Sequence, residues 1–278
     1  MTWHLVSDTA CDLFTLEGGE GKMDFATIPF TIRIGDKEYI DTESMPIEEM
    51  LEANEKHDEM AQTSYPAPGD WRKHFSTPGP VIAFTISSAL SGSYHSACTA
   101  RNMLLEEEPG KQIAVIDSKA TGPEEAMLVW RARDLILEGK PFEEIEADLN
   151  ETAKRIHTSF ALASYRNLIK SGRVSRLIGF IAGHLGFWGI GIGDEKGEIA
   201  IRGKARGSKS MVRFLTEEIG KVGIAGKQIL ISHCRNEKDA LALRDALVSA
   251  FPRIEVLIQP TRGLDSFYAE RSGLIVGY

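Results

Sequence analysis

Short apolar runs alternate with longer amphipathic stretches through the first half of the chain. Segments 3–7, 25–34, 81–86 and 112–116 read as strands by length and β-branched content. Between them, 93–108, 123–138 and 142–157 carry helical patterns. In the last, Ile145, Leu149, Ala153 and Ile156 recur at helical spacing, which places them on one face. Strands alternating with helices predict an open α/β layer with a parallel sheet. Beyond residue 158 the rhythm changes. Segment 159–163 reads as a strand, and 188–192 and 198–202 as two strands about the turn Asp194-Glu195-Lys196-Gly197. Helices are expected at 208–221 and 236–251, and strands at 228–232, 254–259 and 274–277. The expected class is therefore α/β with two domains. Residues 1–158 form an open parallel-sheet domain, and 159–278 a second α/β domain with a mixed or antiparallel sheet.

Composition narrows the class without changing it. Hydrophobic residues make up 42% and charged residues 26% of 278 positions, the balance of a globular chain with a sizeable core. Acidic residues outnumber basic ones by 40 to 32, a formal charge of -8, which argues against a nucleic-acid surface. Cys11, Cys98 and Cys234 form no C-x-x-C pair; such usage fits a reducing cytoplasm and supplies no disulfide framework or zinc site. The start, Met-Thr-Trp-His-Leu-Val-Ser-Asp, lacks the pattern of a signal peptide. The longest low-charge stretch, 177–193, holds six glycines and His184; it reads as buried helix, then strand, and is too broken for a membrane span.

Two hydroxyl-rich segments carry the candidate chemistry. Ser87-Ser88-Ala89-Leu90-Ser91-Gly92-Ser93-Tyr94 leaves an apolar strand and runs into a helix. Free amides and a positive helix end there attract an anion, although Ser91 or Ser93 capping the helix explains the same residues. Thr63-Ser64-Tyr65-Pro66-Ala67-Pro68 is a loop whose prolines restrict it, so Thr63 can be held for a ligand; an ordinary helix-entry turn is the plainer reading.

Taken together these segments carry a family resemblance. Ser7-Asp8-Thr9-Ala10-Cys11-Asp12-Leu13 resembles the D-S-T-x-D-L opening of the DegV family, and Thr63-Ser64-Tyr65-Pro66 its T-S-Q-P loop. The 87–94 segment is similar to S-S-x-L-S-G-T-Y, and Val115-Ile116-Asp117-Ser118 to V-x-D-S. Leu168-Ile169-Lys170-Ser171-Gly172-Arg173-Val174-Ser175 resembles L-x-K-G-G-R-I-S, and Lys204-Ala205-Arg206-Gly207 resembles K-V-R-G. The resemblance implies a non-catalytic cytoplasmic protein, with no cofactor, that holds a long-chain fatty acid in a tunnel between its two domains. It also implies a separate kinase subunit that makes the acyl phosphate, and with it an acyltransferase. Carried over by motif, Thr63 and Ser91 bind the carboxylate with Ser64 and the amides around Gly92, while Arg173, flanked by Lys170 and Arg176, faces the partner. A tail worth about 0.8 kcal/mol per buried CH₂ supplies the affinity. Neutral donors then orient the head and leave it nucleophilic.

One part of the pattern departs. The family's closing G-x-H-x-G-P-G is absent, and Tyr268 falls where its histidine stands. Tyr268, with Arg271 nearby, is expected to replace that hydrogen bond. The strand after the G-R-I-S helix is altered too, to Phe187-Trp188-Gly189-Ile190-Gly191.

Rival readings remain at this level. Asp8, Asp12 and Asp117 at strand ends are candidate Mg²⁺ ligands for a phosphoryl-transfer or hydrolytic enzyme, although aspartates there commonly cap turns. No G-x-x-x-x-G-K-[ST] loop, G-x-S-x-G elbow or H-E-x-x-H pair is present. Arg166, Lys170, Arg173 and Arg176 recur at helical spacing; the stripe is either a solvated face or a surface that docks an acidic partner or an anionic membrane.

Overall fold

The computed structural model describes residues 2–174, 186–224, 226 and 228–278. A four-stranded parallel sheet holds the N-terminal half, in the order β2 (Met23–Ile28), β1 (Trp3–Asp8), β6 (Val81–Thr85), β7 (Ile113–Asp117). Its strands are buried on both faces, and neighbouring residues part to opposite sides. Val6, Val81, Ala83 and Val115 pack with Trp71 and Phe75 of α2 (Pro68–Phe75) and Ala97 and Leu104 of α3 (Ser93–Glu107). Leu5, Ile82, Phe84 and Ile116 face α4 (Pro123–Leu137) and α5 (Phe142–Thr152). This is the period-two partition that continuous apolar strands impose in a covered parallel sheet.

The second sheet begins at Thr158. Its six strands run β10 (Ile199–Arg206), β9 (Phe187–Gly193), β8 (Thr158–Leu162), β13 (Leu274–Gly277), β11 (Gln228–His233) and β12 (Glu255–Pro260). Only β11 and β12 pair in parallel, so the sheet is mixed. Ala161, Ile190, Leu274 and Val276 face α7 (Ser208–Val222) and α8 (Glu237–Ala250). Phe160, Leu162 and Ile275 point the other way.

The structure corrects one expected strand. Segment 25–34 is two strands in two sheets, because Pro29 lacks the N–H a ladder needs and the chain turns there. After the turn, β3 (Thr31–Ile34) joins β4 (Lys37–Ile40) and β5 (Gln62–Ser64) in a small antiparallel sheet. With α1 (Ile47–Lys56) this excursion packs Ile32, Tyr39, Met50 and Leu51 against Phe160, Leu162 and Phe267, so an early segment completes the core of the later sheet. Helix α9 (Gly263–Ala269) was also illegible in the pattern, since Gly263, Asp265 and Ser266 are poor helix formers. Among the described residues no helix is long and apolar enough to cross a membrane.

Candidate functional site

A cleft opens where the strand ends of the parallel sheet meet the free face of the mixed sheet. One wall is apolar sheet: Phe160, Leu162 and Ile275, with Leu168 beyond. The other is loop: Ile86 and Leu90 after β6, and Lys119, Ala120 and Thr121 after β7. Ligand sites in open α/β sheets form at such strand ends.

The polar groups gather at one end. Thr63 Oγ1 and the Tyr268 hydroxyl are hydrogen-bonded at 2.9 Å, and Tyr268 lines the cavity. The Arg173 guanidinium lies 5.0 Å from the centre of the Tyr268 ring, and its Nε donates to the Leu90 carbonyl at 2.9 Å. The two hydroxyl segments meet beside this group. The Tyr65 ring covers Gly92 so closely that a Cβ there would stand 2.6 Å from it, and Ser96 Oγ donates to the Pro66 carbonyl at 2.6 Å. A side chain at Gly92 would have to displace the exposed Tyr65 ring. Ser91 is half-buried and its Oγ accepts the Ser93 amide at 3.3 Å in the turn that precedes α3, whose N-cap is Gly92. Ser64 pairs with Thr31 and is exposed.

The remaining candidates fall elsewhere. Arg271 is held between Glu48 (2.5 Å) and Glu55 (2.6 Å) of α1, an arrangement that keeps it off the cavity. The basic stripe does not form as a helical face. Helix α6 (Arg166–Lys170) ends there, and Gly172 at φ +76° turns the chain so that Arg173 leaves it. Arg166 donates to the Asn54 carbonyl at 2.6 Å, and Lys170 to the carbonyls of Asp58 and Glu59, so together they tie α6 to the end of α1 and the loop after it. Arg176 lies outside the described residues.

The aspartates at the strand ends are occupied by their own backbone. Asp8 accepts from the amides of Ala10 and Ile86 (both 3.1 Å) and from Ser93 Oγ (2.6 Å); burial pushes its carboxyl up to about 6. Asp117 accepts from the Ser88 amide and hydroxyl and from the Lys119 amide. Asp12 accepts the Arg262 amide at 2.6 Å. β6 separates Asp8 on β1 from Asp117 on β7, and among the described residues no three acidic, His or Cys side chains cluster as a metal would require. The carboxylates act as caps, which explains their positions without a metal.

The missing G-P-G leaves a trace in the backbone. With Tyr268 at the histidine position, the two glycines fall at Glu270 and Ser272, and both residues keep positive φ, +53° and +76°. Glu270 also has ψ -179°, a region that glycine favours and that costs other residues about 1–3 kcal/mol. Its carboxylate holds the turn in place, accepting from Ser164 Oγ at 2.7 Å beside Arg166 at 3.6 Å.

Sequence patterning missed Phe160, Ile275, Thr121 and Asp265 as wall residues, and Asp41 as a support of α9. Apolar strand residues carry no mark of whether they face a core or a cavity. Asp41 sits in a short loop without a motif.

A cleft walled by an apolar sheet, closed at one end by hydroxyls and an arginine, defines a protein that holds an amphipathic small molecule. The chain belongs to the DegV family: the family model described as "uncharacterised protein, DegV family" matches residues 2–269. A DegV domain-containing protein of Streptococcus pneumoniae is 36% identical over all of this chain and 99% of its own length. The structure is similar to that of the S. pneumoniae fatty acid kinase B3 protein loaded with linoleic acid, with TM-score 0.96, 36% identity, and coverage of 100% and 99% of the two chains. It is also similar to a DegV family protein of Eubacterium eligens loaded with heptadecanoic acid, with TM-score 0.94, 34% identity and 99% of each chain covered.

Proposed function

We propose that this protein binds a long-chain fatty acid, with its carboxylate at the Thr63–Tyr268 end and its tail along Phe160, Leu162 and Ile275. The observation that carries the reading is the Thr63–Tyr268 hydroxyl pair, which Tyr268 brings to a cleft whose sheet wall is apolar. The lipids held by the two similar structures support it. The tail supplies affinity at about 0.8 kcal/mol per CH₂. Hydroxyls then orient the head without the tight ion pair that would quench its nucleophilicity.

In this reading the chain is a binding subunit that presents the carboxylate to a separate kinase subunit. That subunit supplies ATP and forms the acyl phosphate, which an acyltransferase consumes, with brief contact at a membrane where lipid is exchanged. Residues 1–158 act as the head-binding domain and 159–278 as the domain that covers the tail. A cytoplasmic location suits three free thiols. Arg173 serves the site from within: stacked on Tyr268, it orders the head end, and its exposed side forms the rim that a partner meets. Charge reversal at Arg173 is then expected to loosen lipid as well as lower acyl-phosphate formation.

Denaturing the purified protein, extracting it into organic solvent and identifying the extract by mass spectrometry tests the reading. A co-purified fatty acid is expected. An empty protein that also fails to bind added oleate overturns it.

A further inference from the structure

Helix α9 lies in the C-terminal half of the sequence, yet residues from the first part of the chain hold its start. Asp41 accepts the amides of Gly263 and Leu264 at 2.9 Å each, and Asp12 Oδ1 accepts that of Arg262 at 2.6 Å. These are amides that a helix leaves without an internal partner. The buried Arg262 guanidinium donates to the carbonyls of Leu13 and Asp41 and to Thr27 Oγ1. On the other flank, Thr121 Oγ1 donates to Asp265 Oδ1 at 2.7 Å. Asp265 and Tyr268 stand three residues apart, so they share a face of α9, and both line the cavity.

Asp12 Oδ2 and Asp265 Oδ2 converge on Gly122. A Cβ there would lie 3.0 Å from the first and 2.7 Å from the second, and neither oxygen receives a hydrogen bond from any other described donor. Two buried carboxyl oxygens can bond each other only while one proton lies between them. Asp41 and Arg262 face the pair from the loop after β4 and the start of α9. Asp8 of β1 and Glu125 of α4 lie on its other side, and Lys119 lines the same cavity. Burial pushes Asp12 up to about 7 and, with the Asp12 charge, Asp265 well above the usual carboxylate range.

We propose that Asp12 and Asp41 are positioning residues that hold α9, and with it Tyr268, against the Thr63 loop, and that loss of the proton shared by Asp12 and Asp265 loosens this hold. Its effect on lipid rests on the fatty-acid reading above. Because both carboxyls titrate higher in the fold than in the unfolded chain, the hold is complete below about pH 4 and weakens progressively as pH rises; Asp12 ionises at about 7, and the proton it shares with Asp265 leaves above that.

The test uses the full-length protein and two measurements between about pH 6 and pH 9. Deuterium uptake by the α9 amides, corrected for intrinsic exchange, reads the hold in the lipid-free protein. Transfer of bound oleate to albumin reads its consequence. Both rates are expected to rise about tenfold with pH, a change of 1.4 kcal/mol. Asp265→Asn, whose amide donates to Asp12 at every pH, is expected to flatten both profiles. Asp12→Asn, which keeps an acceptor for the Arg262 amide, serves if that variant does not fold. Asp41→Asn, which retains an acceptor oxygen, should recover part of the lipid retention that Asp41→Ala loses. An α9 uptake profile that is flat in the unmodified protein, or unchanged in the folded asparagine variants, overturns the proposal. Failure to bind oleate at any pH overturns the fatty-acid reading instead, and the uptake measurement still decides the hold.

Discussion

The two walls of the cavity are built by opposite means. The mixed sheet presents large apolar side chains from regular strands, Phe160, Leu162 and Ile275, held by the sheet behind them. The parallel sheet turns no face to the cavity, because helices cover both of its sides. It contributes only the loops at its strand ends, with small hydroxyls and backbone groups fixed by buried aspartates. A regular sheet face suits a long tail, whose recognition is non-directional. Loop amides and hydroxyls suit a head, whose hydrogen bonds have direction. Helix α9 joins the two systems, since its start is held by Asp12 and Asp41 while Tyr268 near its end closes the cavity.

The contrast can be broken at either wall. Phe160→Ala on the sheet side is expected to have the largest effect, about 3 kcal/mol in urea unfolding, at the low end for such truncations because one side of the ring borders the cavity. A loss below about 1 kcal/mol would mean that the wall is not part of the core. On the loop side, Thr63→Val and Tyr268→Phe should each weaken oleate binding about five- to tenfold with little change in unfolding, since each leaves a partner hydroxyl unpaired. Their effects should not add, and a coupling of about 1 kcal/mol in a double-mutant cycle is expected. Independent effects would show that the pair does not act as one group.

Arg173→Met sharpens the comparison at the point where the walls meet. Loss of the Leu90 bond and of the contact with the Tyr268 ring should speed oleate release about fivefold, near 1 kcal/mol. Unchanged release would return Arg173 to a purely external role. A pH-dependent effect is expected at Glu124, which is buried and, among the described residues, accepts from the hydroxyl of Thr158, a residue that lines the cavity. Burial raises its carboxyl to about 8, so its contribution to stability is full below about pH 4.5 and is lost progressively as pH rises to that value. Glu124→Gln keeps the acceptor and removes the ionisation. The advantage of the variant over the unmodified protein should grow as pH rises from about 5 to about 8 and level off above that. A constant difference across that range would rule out titration at this residue.

Much of the fold was legible because apolar spacing maps directly onto faces. Ile145, Leu149, Ala153 and Ile156, read from spacing alone, are all buried in one core, although the helix itself ends at Thr152. The two hydroxyl motifs were legible as loops before helices. The small sheet, α1 and α9 were not, because Pro29 divides a run that reads as one strand and α9 is stabilised by caps from distant residues rather than by propensity. The basic spacing at Arg166, Lys170 and Arg173 gave a helical face that the turn at Gly172 prevents.

By itself, then, the sequence determined the α/β class, the alternation that buries each strand and the hydroxyl segments that meet beside the cavity, since these follow from local spacing. Tertiary structure decided which hydroxyls meet. Thr63 and Tyr268 lie 205 residues apart, and they meet through α9, whose start is capped by Asp12 and Asp41 and anchored by Arg262. It also decided the glycine-like turn at Glu270 and Ser272, because contacts to Ser164 and Arg166 hold a backbone shape that local preference opposes.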